Sequence, residues 1–312
     1  MSKVVFASWF EDISLMSSSK AKYFLEKNIE VDHVFDKKTE EEWSEVFSKY
    51  DHIFCYNGFR KESGPMKIAI EKSGIPATYH EGGILPARVN QFVDRKGILA
   101  GSSFCENIDW VTQKHFDELE EWKQWYKNEI GLSEEDSVWK NGDYIFCPMQ
   151  CWWDANLYGP NKWSPFTDKN AMKEFMVNMQ NNYPDDRIVF RCHPQDHKEF
   201  EVYKKLIRKG NKIDQGYWAN DVKEYDNELM KLMINSKKVI GVNSTCLLQS
   251  VLFGVPTEAL GEGYVKSAGT SQEDQLRMVA AVRGRTFHWN KEKERCFRIM
   301  DEVHEPGTVF WR

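Results

Sequence analysis

The residues best suited to do chemistry in this sequence stand in four polar clusters. Each cluster lies at the end of a short apolar run that predicts a β-strand. Taken singly, they have structural explanations, since Glu81 could cap a turn, Asp154 could cap a helix and His193 could be an ordinary loop histidine. Four clusters at equivalent strand ends instead favour a binding or catalytic site. The clusters are His80-Glu81-Gly82-Gly83, Gln150 with Asp154, Arg191 with His193-Pro194, and Asn243-Ser244-Thr245.

The last of these clusters predicts an anion-binding site. An apolar run at 239–242 predicts a strand, and the three residues Asn243-Ser244-Thr245 favour the start of the helical pattern that follows. Gly254 and Pro256 end that helix, and 257–260 predicts the next strand. The free N–H groups and the dipole of a helix in this position point at an anion. An ordinary β-α-β unit with a capped helix is the alternative explanation.

Alternating strands and helices must position these clusters. In the first part of the chain, strands are predicted at 3–8, 31–35, 51–57 and 76–81, with helices at 17–28, 37–49 and 65–73 between them. A turn at 141–143 precedes a second series, which begins with a strand at 144–148. Such alternation is typical of parallel sheets with helices on both faces.

The restart of the pattern predicts the domain organisation. We predict an α/β fold of two Rossmann-like domains, 1–141 on the acceptor side and 142–290 on the donor side, with parallel sheets that face each other across a cleft. A helix and tail at 291–312 are expected to pack back on the first domain.

Length and composition restrict the class of protein. The 312 residues suffice for two domains, and 41% hydrophobic with 29% charged residues indicates a soluble, folded chain. No apolar run approaches the roughly 20 residues of a membrane helix, and no signal peptide is visible. Seven scattered cysteines indicate reduced thiols in a cytoplasmic protein. The net charge of −6 argues against a nucleic-acid-binding module, unless the folded chain forms a local basic groove.

In order and spacing, the motifs resemble the capsule polysaccharide biosynthesis family, which includes retaining β-Kdo transferases. The similarity runs through residues 76–265, and the ordered set is more specific than any single motif. The motifs are Glu81-x-Gly83 with Leu85-Pro86, Asp94-x-x-Gly97, Gln150-x-x-x-Asp154, His193-Pro194, Asn243-Ser244-Thr245, Gly254-x-Pro256 and Leu260-Gly261.

This resemblance implies a GT-B-like fold and transfer of a sugar from a nucleotide-activated donor. It implies that Glu81 is the acid/base for the acceptor hydroxyl, that Asp154 is the carboxylate at the anomeric carbon, and that His193 with the Asn243-Ser244-Thr245 turn holds the donor phosphate. Two carboxylates suit a retaining reaction, and an imidazole or a helix N-terminus suits a phosphate. The predicted site residues are Glu81 and Asp154 for catalysis, Gln150, Arg191, His193, Asn243, Ser244 and Thr245 for the donor, and His80, Gly82, Gly83 and Arg88 on the acceptor side.

The resemblance also bears on the substrates, and alternatives to it stay open. The donor is expected to be a CMP- or UDP-sugar and the acceptor a saccharide or glycolipid, while hexosyl, pentosyl and Kdo-type transfer stay open. No cofactor or metal is expected, since the sequence contains no Asp-x-Asp motif. One alternative is a phage-type glycosyltransferase that acts on hydroxymethylated bases in DNA. An alternative of a different class is a sugar-nucleotide epimerase or a non-catalytic sugar-nucleotide binding protein, because a fold does not fix a function.

Overall fold

A computed structural model describes residues 3–8, 18–35, 38–57, 64–82, 90–154, 157, 163–216, 222–288 and 291–304. By its internal contacts the chain divides into two compact units. The first unit contains Met1–Asn107 and Ala281–Arg312, and the second contains Ile108–Ala280.

The first unit is built on a six-stranded sheet. Its strands are β1 Lys3–Ser8, β2 Glu30–Phe35, β3 His52–Tyr56, β4 Ala77–Gly82, β5 Asn90–Asp94 and β11 Thr286–His288, in the spatial order β11-β5-β4-β3-β1-β2. Strands β1 to β4 are parallel, as predicted, whereas β5 runs antiparallel to β4 and β11 antiparallel to β5. Only 83–89 separates β4 from β5, and a parallel crossover would need a dozen or more residues. The sheet is therefore mixed at this end.

Helices from both ends of the chain cover this sheet. They are α1 Ser18–Glu26, α2 Glu40–Phe47, α3 Gly64–Ser73 and α11 Lys293–Val303. Helix α11 packs against α1 and adds Ile299 and Met300 to a core that contains Phe6 and Phe54 from the strands. Helix α2 begins with a capping box, in which Thr39 and Glu42 bind each other's backbone N–H groups.

The second unit is built on a five-stranded sheet that is parallel throughout. Its strands are β6 Tyr144–Pro148, β7 Arg187–Arg191, β8 Lys212–Asp214, β9 Lys238–Gly241 and β10 Thr257–Ala259, in the order β10-β9-β6-β7-β8. Its helices are α4 Gln113–Glu129, α5 Ala171–Asn182, α6 Phe200–Lys204, α7 Val222–Ile234, α8 Cys246–Leu252, α9 Tyr264–Ala268 and α10 Gln272–Gly284, the last of which ends in the first unit. The strand–turn–helix–strand pattern predicted for 239–260 is confirmed as β9, α8 and β10.

The units divide at Asn107, before α4, and not at the turn near Asn141 that the sequence suggested. The segment between these points packs on the second unit, where Tyr126 accepts a 2.8 Å hydrogen bond from Gln249 and Trp139 donates one of 2.8 Å to the carbonyl of Ser236. The chain also returns to the first unit at Ala281, so β11 joins the first sheet although the sequence analysis assigned it to the second domain.

Across the described residues, no helix is both long and apolar enough to cross a membrane. The same residues contain no group of three or more His, Cys, Asp or Glu side chains arranged to hold a metal ion. All seven cysteines are free thiols.

Two buried histidines share one hydroxyl in the first unit. Thr78 Oγ1 lies 2.9 Å from Nε2 of His52 and 2.9 Å from Nε2 of His304, and the two imidazole rings are 5.0 Å apart. Burial lowers the pKa of His304 to about 4, and burial together with the charge of His304 lowers the pKa of His52 well below its ordinary value. Both rings are therefore neutral in the folded protein at neutral pH.

This pair predicts a loss of stability in acid. A histidine whose folded pKa is depressed stabilises the fold above its unfolded pKa of about 6.5, and that stability is lost as the pH falls toward its folded value. For His304 alone we expect a loss of about 3 kcal/mol in the free energy of unfolding by pH 4, as measured by urea titration at a series of pH values. Because carboxylates also titrate there, His304→Gln is the control. An equal acid-induced loss in that variant would contradict the assignment.

Candidate active site

Two residues predicted to bind the donor meet between neighbouring strands of the second unit. Gln150 follows β6 and Asn243 follows β9, and the Gln150 amide donates a 3.1 Å hydrogen bond to Asn243 Oδ1. In return, the backbone N–H of Asn243 donates to Gln150 Oε1 at 3.2 Å. The Asn243 side chain also donates to the carbonyl of Glu262 at 3.1 Å. The pair is buried and fixes the loop after β9.

Residues Ser244 and Thr245 continue from this pair into α8. Ser244 Oγ accepts a 3.3 Å hydrogen bond from the N–H of Cys246, and both hydroxyl-bearing residues are half-buried. Thr245 already has helical backbone angles and its side chain makes no capping hydrogen bond. Helix α8 has only seven residues, so side chains must supply much of any anion binding at this turn.

The ring of His193 is held in one tautomer at the end of β7. Its Nδ1 accepts a hydrogen bond of 3.1 Å from the backbone N–H of Gln195, and Cys151 Sγ lies 3.1 Å from the same nitrogen. Burial lowers the pKa of His193 to about 4. The neutral ring therefore carries its proton on Nε2, which makes that nitrogen a hydrogen-bond donor.

A close backbone contact supports the same turn. The N–H of Gly216 donates to the carbonyl of Cys192 at 3.1 Å, and a Cβ atom at Gly216 would lie 2.1 Å from that carbonyl oxygen. On the other side, Asp196 donates its N–H to the carbonyl of His193 at 2.9 Å and its carboxylate accepts from Tyr203 at 2.5 Å.

Replacing Gly216 with Ala is therefore expected to displace this turn. Overpacking of this kind typically lowers the free energy of unfolding by about 1–3 kcal/mol, which thermal unfolding would detect. The control is Gly64→Ala, because among the described residues no atom beyond its chain neighbours and its own helix backbone lies within 4 Å of a Cβ at Gly64. Equal melting temperatures of the two variants would show that the turn adapts without cost.

Arg191, which was also predicted to bind the donor, forms ion pairs with two carboxylates. It is buried, and its guanidinium lies 2.5 Å from Asp214 and 3.5 Å from Glu228. These ion pairs tie β7 to β8 and α7. The structure thus gives Arg191 a role in holding the edge of the sheet.

Asp154 lies four residues beyond Gln150, in a turn after β6. Its backbone N–H donates to the carbonyl of Cys151 at 2.9 Å, and its own carbonyl accepts from Leu157 at 2.9 Å. The carboxyl-bearing residue is half-buried, beside a pair of edge-to-face tryptophans, Trp152 and Trp153, of which Trp153 is 40% exposed. Two aromatic residues therefore directly precede the carboxylate that is predicted to act at the anomeric carbon.

Glu81 is held at the end of β4 in the first unit. Its Oε2 accepts a 2.5 Å hydrogen bond from the side-chain amide of Asn57, and its Oε1 accepts one of 3.2 Å from the N–H of Gly82. Asn57 was not among the residues predicted from the sequence. It directly follows β3, beside the strand that carries Glu81, and a polar residue in that position is the signal that could have identified it.

The ring of His80 lies in the core of the first unit, because successive side chains of a strand point to opposite faces. It is buried, with Nδ1 3.3 Å from Lys20 Nζ and the ring edge-on to Phe6. Burial lowers the pKa of Lys20 to about 7 and that of His80 well below its ordinary value. Of the other predicted acceptor-side residues, Gly82 is exposed, while Gly83 and Arg88 lie outside the described residues.

Comparisons with known proteins agree with this architecture. A family model described as capsule polysaccharide biosynthesis protein matches residues 112–288. That match covers the second unit from the start of α4 and extends to β11, so the motif around Glu81 lies outside it. No curated protein sequence matches the chain.

Two solved structures from Thermosulfurimonas dismutans share the fold. The KpsC β-Kdo 2,7 transferase has a TM-score of 0.59 at 12% identity, over 98% of this chain and 100% of that one. The KpsC β-Kdo 2,4 transferase has a TM-score of 0.57 at 16% identity, over 90% of each chain. The GT-B-like α/β fold class predicted from the sequence is confirmed.

Proposed function

Because this chain belongs to the capsule polysaccharide biosynthesis family, we propose that it is a glycosyltransferase that moves a sugar from a nucleotide-activated donor to a hydroxyl acceptor. One structural observation supports this proposal in addition to the family membership. The adjacent parallel strands β9, β6 and β7 end, at one edge of the sheet, in Asn243-Ser244-Thr245, Gln150 with Asp154, and His193. This edge is where α/β sheets bind their ligands.

In the proposed donor site, neutral hydrogen-bond donors bind the phosphate. The Nε2–H of His193 and the hydroxyl groups of Ser244 and Thr245 face a charge that grows as the nucleotide leaves. The Gln150–Asn243 hydrogen bonds keep Ser244 and Thr245 in place. These groups stabilise the leaving phosphate without a metal ion, and the nucleotide-sugar is itself a substrate, so the proposal includes no cofactor.

We assign the two carboxylates to a retaining double displacement. The Asp154 carboxylate forms a bond to the anomeric carbon while the bond to the donor phosphate breaks and the nucleotide departs with the electron pair. The acceptor hydroxyl then gives its proton to Glu81 as its oxygen attacks the same carbon, and Asp154 leaves as a carboxylate. The acceptor is a saccharide or glycolipid hydroxyl.

A ligand screen followed by product analysis tests the proposal. Thermal-shift measurements with CMP-, UDP- and GDP-sugars, activated Kdo among them because two similar structures are named Kdo transferases, should identify one nucleotide that raises the melting temperature. The matching donor should then yield a glycoside of retained configuration and free nucleotide. Conversion of the donor to an isomeric nucleotide-sugar would instead identify an epimerase.

Replacement of His193 with Ala tests the donor site directly. Losing a hydrogen bond to a charged phosphate costs about 1.5–3 kcal/mol, so we expect the nucleotide Kd to rise about 10- to 100-fold. His193→Gln retains an N–H donor and should recover part of the affinity. Unchanged nucleotide affinity together with retained activity in His193→Ala would refute the assignment.

A further inference from the structure

We propose that Asn57 is a positioning residue that orients the Glu81 carboxylate and keeps it ionised for the reaction. The inference rests on the proposed function of Glu81 as the group that receives the acceptor proton. Asn57 lies outside the sequence motifs, and its contacts connect the end of β3 to the end of β4.

The backbone places Asn57 for this contact. It has a φ of 58°, in the left-handed region, where asparagine is tolerated better than most residues. Its N–H donates to the carbonyl of His80 at 2.8 Å, which extends the parallel pairing of β3 with β4 by one residue. Only 4% of Asn57 is exposed. The side-chain amide therefore reaches Glu81 from a fixed and buried position.

The direction of the hydrogen bonds decides their effect on Glu81. Asn57 Nδ2 and the backbone N–H of Gly82 both donate, one to each carboxylate oxygen. Donors of this kind favour the charged form of a carboxylate. In the second displacement the acceptor hydroxyl loses its proton to Glu81, its oxygen bonds to the anomeric carbon, and the electron pair of the broken glycosyl–carboxylate bond returns to Asp154. Glu81 must be ionised before that step.

Other titratable groups are carried by the elements around Glu81. Among the residues that the structure describes, these groups include Tyr56 on β3, His80 on β4, Lys20 on α1 and Asp94 on β5. The Asp94 carboxylate accepts hydrogen bonds from the hydroxyl of Ser103 and from the N–H of Gly97, both in the segment that follows β5. Variants at Asn57 leave all four in place, so a change in the titration of Glu81 reports on the amide.

The test compares Asn57→Asp with Asn57→Gly, which both suit a left-handed backbone. The readout is the titration of the Glu81 carboxyl by NMR of protein labelled with carboxyl-¹³C glutamate, its signal assigned by its absence in Glu81→Gln. Asn57→Asp places a second carboxylate beside Glu81 and should raise its apparent pKa by about one unit or more. Asn57→Gly removes the donor and should raise it less. The acidic limb of the pH profile for transfer should move by the same amounts.

Asn28→Gly is the matched control, because Asn28 has a similar φ of 53° in the same unit and is exposed. It should leave the Glu81 titration and the pH profile unchanged. If Glu81→Gln is inactive while both Asn57 variants keep the wild-type titration of Glu81 and the wild-type turnover, the inference about Asn57 is wrong and the proposed role of Glu81 stands. Near-native turnover of Glu81→Gln would overturn the proposed role of Glu81, and the inference with it.

Discussion

Replacing Asp154 with Asn is expected to reduce sugar transfer by about a thousandfold or more while donor affinity stays within a few-fold of wild type. An amide of the same shape cannot attack the anomeric carbon, so the first displacement stops. The backbone contacts of Asp154 with Cys151 and Leu157 do not involve its carboxylate and should survive the change. Nucleotide binding, which depends on His193 and the turn after β9, should also survive.

Single-turnover measurement of nucleotide release, with donor titration by calorimetry, separates these two effects. Asp185→Asn removes an exposed carboxylate from the same unit and serves as the control. Near-native turnover in Asp154→Asn would rule out the nucleophile assignment. A product of inverted configuration in the wild-type reaction would rule out the double displacement itself.

The second large effect is expected for Glu81→Gln. Loss of a general base typically lowers the rate by about 10²- to 10⁴-fold. Glutamine keeps an oxygen that can accept from Asn57, so the end of β4 should retain its structure. The first displacement does not use Glu81, so nucleotide should still be released in one burst while the transfer to acceptor is slow.

Measuring the burst of nucleotide release with and without acceptor follows both displacements in one assay. The control is Glu71→Gln, which alters an exposed carboxylate on α3 paired with Lys67. Equal steady-state rates for Glu81→Gln and this control would remove Glu81 from the mechanism. Loss of the burst would instead place Glu81 in the first displacement.

The sequence predicted that the clusters at Gln150 and Asn243 lie together, because parallel strands bring their carboxyl ends to one edge of a sheet. The meeting of Gln150 with Asn243 across 93 positions needed only the expectation that β6 and β9 share a sheet. The orientation of His80 was also accessible in principle, since it alternates with Glu81 along β4. Burial of His80 against Lys20 was not, because that contact depends on where α1 packs.

The sequence pattern did not predict contacts between elements that are far apart in the chain. Nothing in the three residues of β11 indicates that they pair with β5, nearly two hundred positions earlier. Likewise, the alternation of strands and helices shows where a new series begins, but it does not show which unit α4 belongs to. The side-chain contacts of α4 place it in the second unit. The hydrogen bond from Asn57 to Glu81 required the β3–β4 register, which only the folded sheet provides.

The interrupted path of the chain has a consequence for synthesis on the ribosome. Strands β1 to β5 emerge first, but β11 and α11, which complete their sheet and core, emerge only after the whole of Ile108–Ala280. The second unit is continuous and can fold as it emerges. The first unit to be translated is thus the last to be completed, and a nascent chain stalled before Ala281 would leave the edge of β5 and an apolar core face open to aggregation.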